Sequence, residues 1–303
     1  MDPTITAYGS SEDEVKRRTS RTRRFTPLEL LVSGAVSGAL AKSAIAPMDR
    51  IKILFQTDPN RAFDARSAVG LAKKIHASSG ITSFWKGHTA TLMRVAPYSA
   101  TNFFVFDRTR HFLEPVLGDL IHPAGVKFMS GAFSGSAAVC VTYPLETLRA
   151  RMAVDLDGKY TRGYMDAVRT LIRLDGFPSL YSGLRATLAG IIPYAGTSFA
   201  VYETLKTDET TFATRFLIGA LAGLTAQATT YPLDVVRRRM QVSPLEYTSV
   251  LSTFKKVYTR EGLIGGLYKG LTMNVIKGPI AVAISLNAND HIKAFFLSRD
   301  HEV

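Results

Sequence analysis

One six-residue motif occurs three times in this chain of 303 residues. It reads proline, any residue, acidic residue, two further residues, basic residue, and it starts at Pro47, Pro144 and Pro232. The intervals between these prolines are 97 and 88 residues, and three glycine pairs recur at the same intervals: Gly34/Gly38, Gly131/Gly135 and Gly219/Gly223. The chain is therefore three copies of one unit of roughly 90 residues.

Two further patterns lie downstream in each copy. An aromatic residue stands two positions before Gly87, Gly183 and Gly270. An acidic-x-x-basic pattern follows as Asp107/Arg110, Glu203/Lys206 and Asp290/Lys293. Both patterns recur at intervals of 96 and 87 residues, and four patterns in one register are not a chance match.

Six windows of the chain carry almost no charge. Residues 128–145, 186–202 and 216–233 contain no Asp, Glu, Lys or Arg, and three more windows, 30–48, 89–106 and 271–289, contain one each. A helix of about 20 residues crosses a bilayer, and the many small residues suit helix packing in lipid. Buried helices of a large soluble α-helical protein would also have low charge, but the repeat favours six transmembrane helices.

Each repeat is predicted to be a helix, a polar loop with a short amphipathic helix, and a second helix. Units of this length are too long for a solenoid, so an all-α membrane protein with pseudo-threefold symmetry is expected. The predicted organisation is a basic polar tail (1–25), repeats 26–122, 123–211 and 212–297, and a C-terminal tail (298–303).

The net charge of +12 indicates polyanionic partners, but most of it lies outside the windows. The three long loops hold 21 of the 37 Lys and Arg residues, and residues 16–24 hold six more. These loops are expected to contact acidic phospholipid such as cardiolipin. The tail is expected to be solvated, to touch anionic lipid or to be part of an import signal, although Glu12, Asp13 and Glu14 are unlike a transit peptide. The single Cys140 excludes a disulfide framework.

Three basic residues, Lys42, Arg94 and Lys277, lie inside the windows, where there is no acidic residue. A charge at that depth costs several kcal/mol unless it faces a cavity or a counter-ion. We therefore expect three unpaired cations to line one water-filled cavity and to bind an anionic solute.

The register places Arg94 and Lys277 at equivalent positions of repeats one and three, where repeat two has Gly190 followed by Ile191. Two cations and one small position predict a ligand with phosphates on one side and a flat group on the other. Tyr194 could then pack against a purine, although Gly190 and Tyr194 could equally serve helix packing alone.

With these motifs the chain resembles the mitochondrial carriers over about residues 26–297. The resemblance implies a six-helix inner-membrane transporter with both termini toward the intermembrane space and short helices on the matrix side. It also implies that Lys42 binds phosphate, that Gly190-Ile191 suits a nucleotide-like solute, and that Asn102, Tyr194 and Asn274 line the cavity.

Three segments, 94–98, 192–196 and 273–282, look most like the coenzyme A carrier branch of that family. The implied solute is coenzyme A, dephospho-coenzyme A, adenosine 3′,5′-diphosphate, ADP or ATP. The implied transporter is a monomer that exchanges these solutes by alternating access. An ADP/ATP or ATP-Mg/phosphate type of carrier is the alternative. Residues 237–240 resemble the ADP/ATP carrier hallmark, but Gln241 and Val242 depart from it.

Two gates are predicted from the repeated charges. The matrix gate pairs Asp49 with Arg149, Glu146 with Arg237 and Asp234 with Lys52. The cytoplasmic gate pairs Asp107 with Lys206, Glu203 with Lys293 and Asp290 with Arg110. The resemblance adds glutamine braces at Gln56 and Gln241, with Ala153 in the third place, and a tyrosine brace at Tyr202. Ordinary helix-end charges at a membrane interface are the alternative.

Other classes fit the sequence poorly. An enzyme would need an acid/base pair or a metal cluster, yet all six histidines lie outside the windows and no cavity carboxylate is available. A nucleic-acid binder would need its basic residues on one soluble face, and here they are spread over the loops. Nothing in the sequence implies a cofactor or a metal.

Overall fold

The computed structural model describes residues 25–117, 122–160, 163–207 and 211–299. Within these ranges the chain forms nine α-helices and no strand. The basic segment 16–24 and residues 300–303 of the predicted C-terminal tail lie outside the described residues.

Long and short helices alternate in a regular order. The helices are α1 (Pro27–Thr57), α2 (Ala65–Ser79), α3 (His88–Leu117), α4 (Pro123–Val154), α5 (Tyr164–Asp175), α6 (Leu184–Leu205), α7 (Phe212–Val242), α8 (Val250–Glu261) and α9 (Leu271–Arg299). A short helical turn precedes α3, α6 and α9: Ile81–Trp85, Phe177–Tyr181 and Leu263–Leu267. The order of long, short and long helix thus occurs three times.

The chain divides into two compact units. One comprises the described residues up to Ala44 together with those from Ile280 onward, and the other is Ile45–Pro279. The first unit contains the start of α1, where Thr26 and Glu29 form a reciprocal capping box. The second unit contains all three signature motifs.

Local sequence explains several helix ends of the second unit. Asp64 caps α2 by accepting a hydrogen bond from the Ser67 amide at 2.6 Å. This bond holds the pKa of the Asp64 carboxyl below its usual value. Ser249 caps α8 in the same way by accepting from the Ser252 amide.

The short helices are amphipathic and pack onto the long helices that carry the motifs. Each buries two positions four residues apart, which lie on one helix face. Leu71 and Ile75 pack with Phe55, and Leu171 packs with Leu148. In the third repeat, Val257 lies with Val235, Val236 and Leu267. The core of the second unit therefore lies beside the signature motifs.

Elsewhere, large apolar side chains face outward. Phe103, Phe104, Phe112 and Phe133 are all exposed on α3 and α4. An apolar exterior of this extent suits lipid better than water. α3 packs along α4, and α6 packs along α7.

Two helical segments among the described residues, Leu28–Thr57 and Leu263–Ser298, are long and apolar enough to cross a membrane. Length and composition alone would also admit the core helix of a soluble protein, but most of each segment is not buried within this chain. The other four predicted windows lie in α3, α4, α6 and α7, which do not reach that level of apolar character.

Candidate functional site

The three signature motifs of the second unit meet in one cluster of ion pairs. Arg149 donates to Asp49 at 2.7 Å, and Lys52 donates to Asp234 at 3.1 Å. Arg237 contacts Glu146. These are the three predicted pairs, and each joins two different repeats, so that the pairs link the repeats in a closed cycle.

Glutamine braces reinforce two of the three junctions between repeats. The Gln56 amide donates to the Tyr231 hydroxyl at 3.0 Å, and the Gln241 amide donates to the Tyr143 hydroxyl at 3.2 Å. Both tyrosines immediately precede a signature proline. Sequence reasoning missed them, although their position beside the proline is a usable signal.

The junction between repeats one and two is built differently. It lacks both members of the brace, because Ala153 replaces the glutamine and Ala46 replaces the tyrosine. Arg50 is buried there instead. It donates to the carbonyls of Ala153 at 2.9 Å and Asp155 at 3.2 Å, and also to that of Ser83.

Buried arginines tie the repeats together below the ion pairs. Arg151 donates to the Gln241 carbonyl and Arg239 to the Gln56 carbonyl, both at 2.5 Å. With Arg50 donating to Ala153, each repeat's arginine bonds the carbonyl nine residues after the next repeat's proline. The carbonyl acceptor is the same in every repeat even where the glutamine side chain is missing.

The repeated glycines allow close contact between repeats. Gly87 and Gly183 adopt φ values of +79° and +83°, which other residues rarely adopt. A Cβ at Gly87 would lie 2.9 Å from the Arg149 carbonyl oxygen, and one at Gly183 would lie 2.9 Å from that of Arg237. The glycine of each of these two aromatic-x-glycine patterns therefore packs against the backbone of the gate arginine in the following repeat.

The expectation that Arg94 and Lys277 are unpaired is wrong. Arg94 donates to Glu146 at 2.9 Å, and Lys277 donates to Asp49 at 2.7 Å. Asp49 and Glu146 are the first residues after the low-charge windows 30–48 and 128–145, and the long basic side chains reach them. Two of the three predicted solute cations therefore share their carboxylates with the matrix gate.

Arg238 is a further cation at this cluster that sequence reasoning missed. It donates to the Gln241 side chain at 2.8 Å and lies 3.4 Å from Glu146. The equivalent residues in repeats one and two are Ile53 and Ala150. A charge in one repeat only was the available signal, because symmetric gate residues recur in all three.

Gly190, Ile191 and Tyr194 lie together on α6 and line one cavity of about 310 Å³. The facing wall is α7, with Gln227, Thr230 and Leu233 among its lining residues. The three residues predicted to form the small, flat side of the site therefore line one pocket, and their contact with a solute stays a prediction.

None of the other five predicted solute residues lines this pocket, and two of them, Arg94 and Lys277, belong to the ion-pair cluster. Asn274 is only 2% exposed, and its amide has no hydrogen-bond partner among the described residues. A solute cannot reach it in this conformation. Asn102 is half-buried on α3, and Lys42 is exposed on α1 and belongs to the first unit.

The predicted cytoplasmic charges are arranged differently from the matrix charges. Asp107 lies 3.6 Å from His111, and Arg110 lies 3.4 Å from Glu114, both on the same helix. Within the described part of the second unit, Asp107 and Lys206 do not pair. Tyr202 is half-buried and Glu203 is exposed on α6. The pairs predicted for Asp290 and Lys293 stay predictions.

The threefold helix order, the cycle of signature ion pairs and their braces define a class of proteins. A family model described as "Mitochondrial carrier protein" matches residues 23–116, 122–207 and 208–300. The chain belongs to the mitochondrial carrier family, as its motifs predict.

Individual relatives are similar over nearly the whole length. The mitochondrial coenzyme A transporter SLC25A42 of Danio rerio is 42% identical over 276 residues, covering 87% of this chain and 85% of the relative. The human protein of that name is 41% identical over 276 residues, covering 87% and 86%. Solute carrier family 25 member 16 of Mus musculus is 33% identical over 305 residues, covering 92% and 91%.

Proposed function

We propose that this chain is an inner-membrane exchanger of coenzyme A or a related adenine nucleotide, working by alternating access. The identity of 41–42% to coenzyme A transporters supports the solute class. The observation that carries the mechanism is the pairing of Arg94 with Glu146 and of Lys277 with Asp49. These pairs connect the residues that bind solute to those that close the gate.

The described conformation fits a carrier closed toward the matrix. Its three signature pairs are formed, whereas Asp107 and Lys206 are apart. In this proposal the six long helices cross the membrane, the termini face the intermembrane space, and α2, α5 and α8 lie at the matrix side. Solute would then enter from the intermembrane space.

Charge around the cluster favours a polyanionic solute. Six cations surround three carboxylates, which leaves a net charge of about +3. The cations are Lys52, Arg94, Arg149, Arg237, Arg238 and Lys277, and the carboxylates are Asp49, Glu146 and Asp234. A solute with several phosphate charges would neutralise this excess, as coenzyme A or ATP could.

Solute binding would act on the gate by competition. Asp49 accepts from both Arg149 and Lys277, and Glu146 contacts both Arg94 and Arg237. Phosphates that bind Arg94 and Lys277 would remove one cation from each carboxylate. Asp49 and Glu146 would each lose one ion-pair partner, and the closed conformation would lose part of its stabilisation. Binding would thereby promote opening toward the matrix.

The test is counter-exchange in proteoliposomes containing the purified chain. Liposomes are loaded with coenzyme A, adenosine 3′,5′-diphosphate, ADP, ATP or a dicarboxylate, and uptake of labelled coenzyme A is measured. We expect uptake with the adenine-containing solutes inside, little with the dicarboxylate, and none in liposomes without protein.

Two other outcomes distinguish the alternatives. Exchange of ADP and ATP without coenzyme A would identify the adenine nucleotide type of carrier instead. Movement of a dicarboxylate, with neither coenzyme A nor adenine nucleotides transported, would contradict the proposed solute class.

A further inference from the structure

The cavity between α6 and α7 is lined by apolar and polar side chains, and the gate residues Asp234 and Arg237 are among them. Ala186, Ile191, Ala195 and Leu233 supply apolar walls, and the Tyr194 ring is partly exposed beside them. At Gly190 even an added Cβ would be in ordinary contact, 3.8 Å from Leu233. The absence of a side chain there keeps the wall flat.

The two threonine hydroxyls of this cavity are already bonded to carbonyls of their own helices. The Thr187 hydroxyl lies 3.1 Å from the Gly183 carbonyl and 3.2 Å from the Tyr143 hydroxyl. The Thr230 hydroxyl donates to the Ala226 carbonyl at 2.9 Å. Because each hydroxyl already donates its hydrogen bond to a carbonyl, it can only accept a hydrogen bond from a ligand.

Gln227 differs from both threonines. It lines the same cavity and is half-buried, and its amide makes no hydrogen bond to any residue that the structure describes. A glutamine amide carries a donor and an acceptor side by side. It can form two parallel hydrogen bonds to adenine, whose N6 amino group lies beside a ring-nitrogen acceptor.

The repeat register makes Gln227 the counterpart of Lys42, which is expected to contact the solute. It lies five residues before Pro232, as Lys42 does before Pro47, and the resemblance already assigns Lys42 to phosphate. Repeat two has Val139 at this position, which offers no polar side chain. One register position thus carries a cation in one repeat, an apolar residue in the next and an amide in the third.

We propose that Gln227 is a specificity-determining residue that binds the hydrogen-bonding edge of the purine. The inference rests on the proposed function, because it requires a solute with an adenine base. The adenine ring then lies between Tyr194 and the apolar wall of the cavity, and the Gln227 amide bonds the adenine N6 amino group and the ring nitrogen beside it. The phosphates then extend toward Arg94 and Lys277.

The test compares coenzyme A with 1,N6-etheno-coenzyme A, in which an added ring removes the N6 donor but leaves every phosphate. Exchange of each is measured in proteoliposomes for the wild type and Gln227→Leu. We expect the wild type to favour coenzyme A by about tenfold, as two neutral hydrogen bonds allow. Gln227→Leu should lower coenzyme A exchange to the etheno rate and leave the etheno rate unchanged.

Thr225→Val is the matched control on α7. The Thr225 hydroxyl bonds its own helix at the Leu221 carbonyl and is exposed outside the cavity, so the preference for coenzyme A should persist. Equal exchange of both solutes by the wild type would overturn the proposal without any variant, as would an equal fall for both in Gln227→Leu. If the wild type moved no adenine-containing solute, the proposed function would fail as well; if it moved both equally, only the role of Gln227 would fail.

Discussion

Arg94 and Lys277 each interact with a gate carboxylate now and are proposed to bind phosphate during transport. Each is at a position whose counterpart in repeat two is Gly190, so the site is polar on two sides only. Their present partners, Glu146 and Asp49, keep the two charges compensated while no solute is bound. In the proposed six-span arrangement, these pairs avoid the cost of an isolated charge at membrane depth.

Replacing either cation should therefore reduce transport rather than folding. For Arg94→Ala and Lys277→Ala we expect coenzyme A exchange to fall about 10- to 100-fold, since one charge-assisted bond to the solute is lost. Exchange rates in proteoliposomes measure the effect, and thermal unfolding monitors the fold.

Arg108→Ala is the control on α3. Arg108 lies over the exposed Phe104 ring and is neither a gate residue nor a predicted solute residue, so exchange should change by less than about twofold. Near-normal exchange by Arg94→Ala would remove Arg94 from the solute site.

At the scale of elements, α8 is fixed to α7 by a buried charge cluster. Arg239 is fully buried and makes two bonds to Glu261, at 2.6 and 2.8 Å. Lys269 contacts the same carboxylate. One acidic residue thus compensates two buried cations. Repeat one has Leu54 and Ser79 at the positions of Arg239 and Glu261, so it contains neither residue of this ion pair.

Glu261→Gln should destabilise the chain by about 3–5 kcal/mol, because it leaves buried cations without their counter-ion. Thermal unfolding in detergent would show a clear fall in Tm. The comparison is Glu246→Gln, which breaks the exposed Glu246–Arg260 pair of 2.9 Å and should cost less than about 1 kcal/mol. Equal shifts for the two variants would show that burial does not determine the effect.

At the scale of the whole molecule, the signature pairs matter as a cycle rather than singly. Lys52–Asp234 is the pair that connects repeat three back to repeat one. Gln56 and Tyr231 brace the same junction, and the Gly270 turn lies against both Tyr231 and Lys52. In the proposed mechanism, opening toward the matrix requires this junction to separate.

A charge exchange tests whether the pair acts during transport. K52D puts a carboxylate opposite Asp234, and repulsion of like charges should lower coenzyme A exchange by about tenfold or more. Adding D234K restores an opposite pair and should recover a substantial part of the exchange. A double variant no better than K52D alone would contradict a gating role for this pair.

The sequence predicts much of this arrangement because the repeat defines equivalent positions. From register alone it predicts which acidic residue of one repeat faces which basic residue of the next, and the structure contains the three matrix pairs. It also predicts the missing brace at Ala153. It does not predict that Arg50 bonds the Ala153 carbonyl, because Arg50 lies three residues after its proline whereas Arg151 and Arg239 lie seven residues after theirs.

The sequence by itself determined the helix order, the three signature motifs and the positions of the few charges within apolar stretches. The spacing of the motifs and the positions of the charges are properties of the amino-acid order, so they need no knowledge of which helices are neighbours. Only the tertiary structure decided that Arg94 and Lys277 bind Glu146 and Asp49, that Asn274 is buried, and that Gln227 faces the pocket of Gly190. Those facts depend on distances between helices and on the reach of long side chains, which spacing along one helix does not fix.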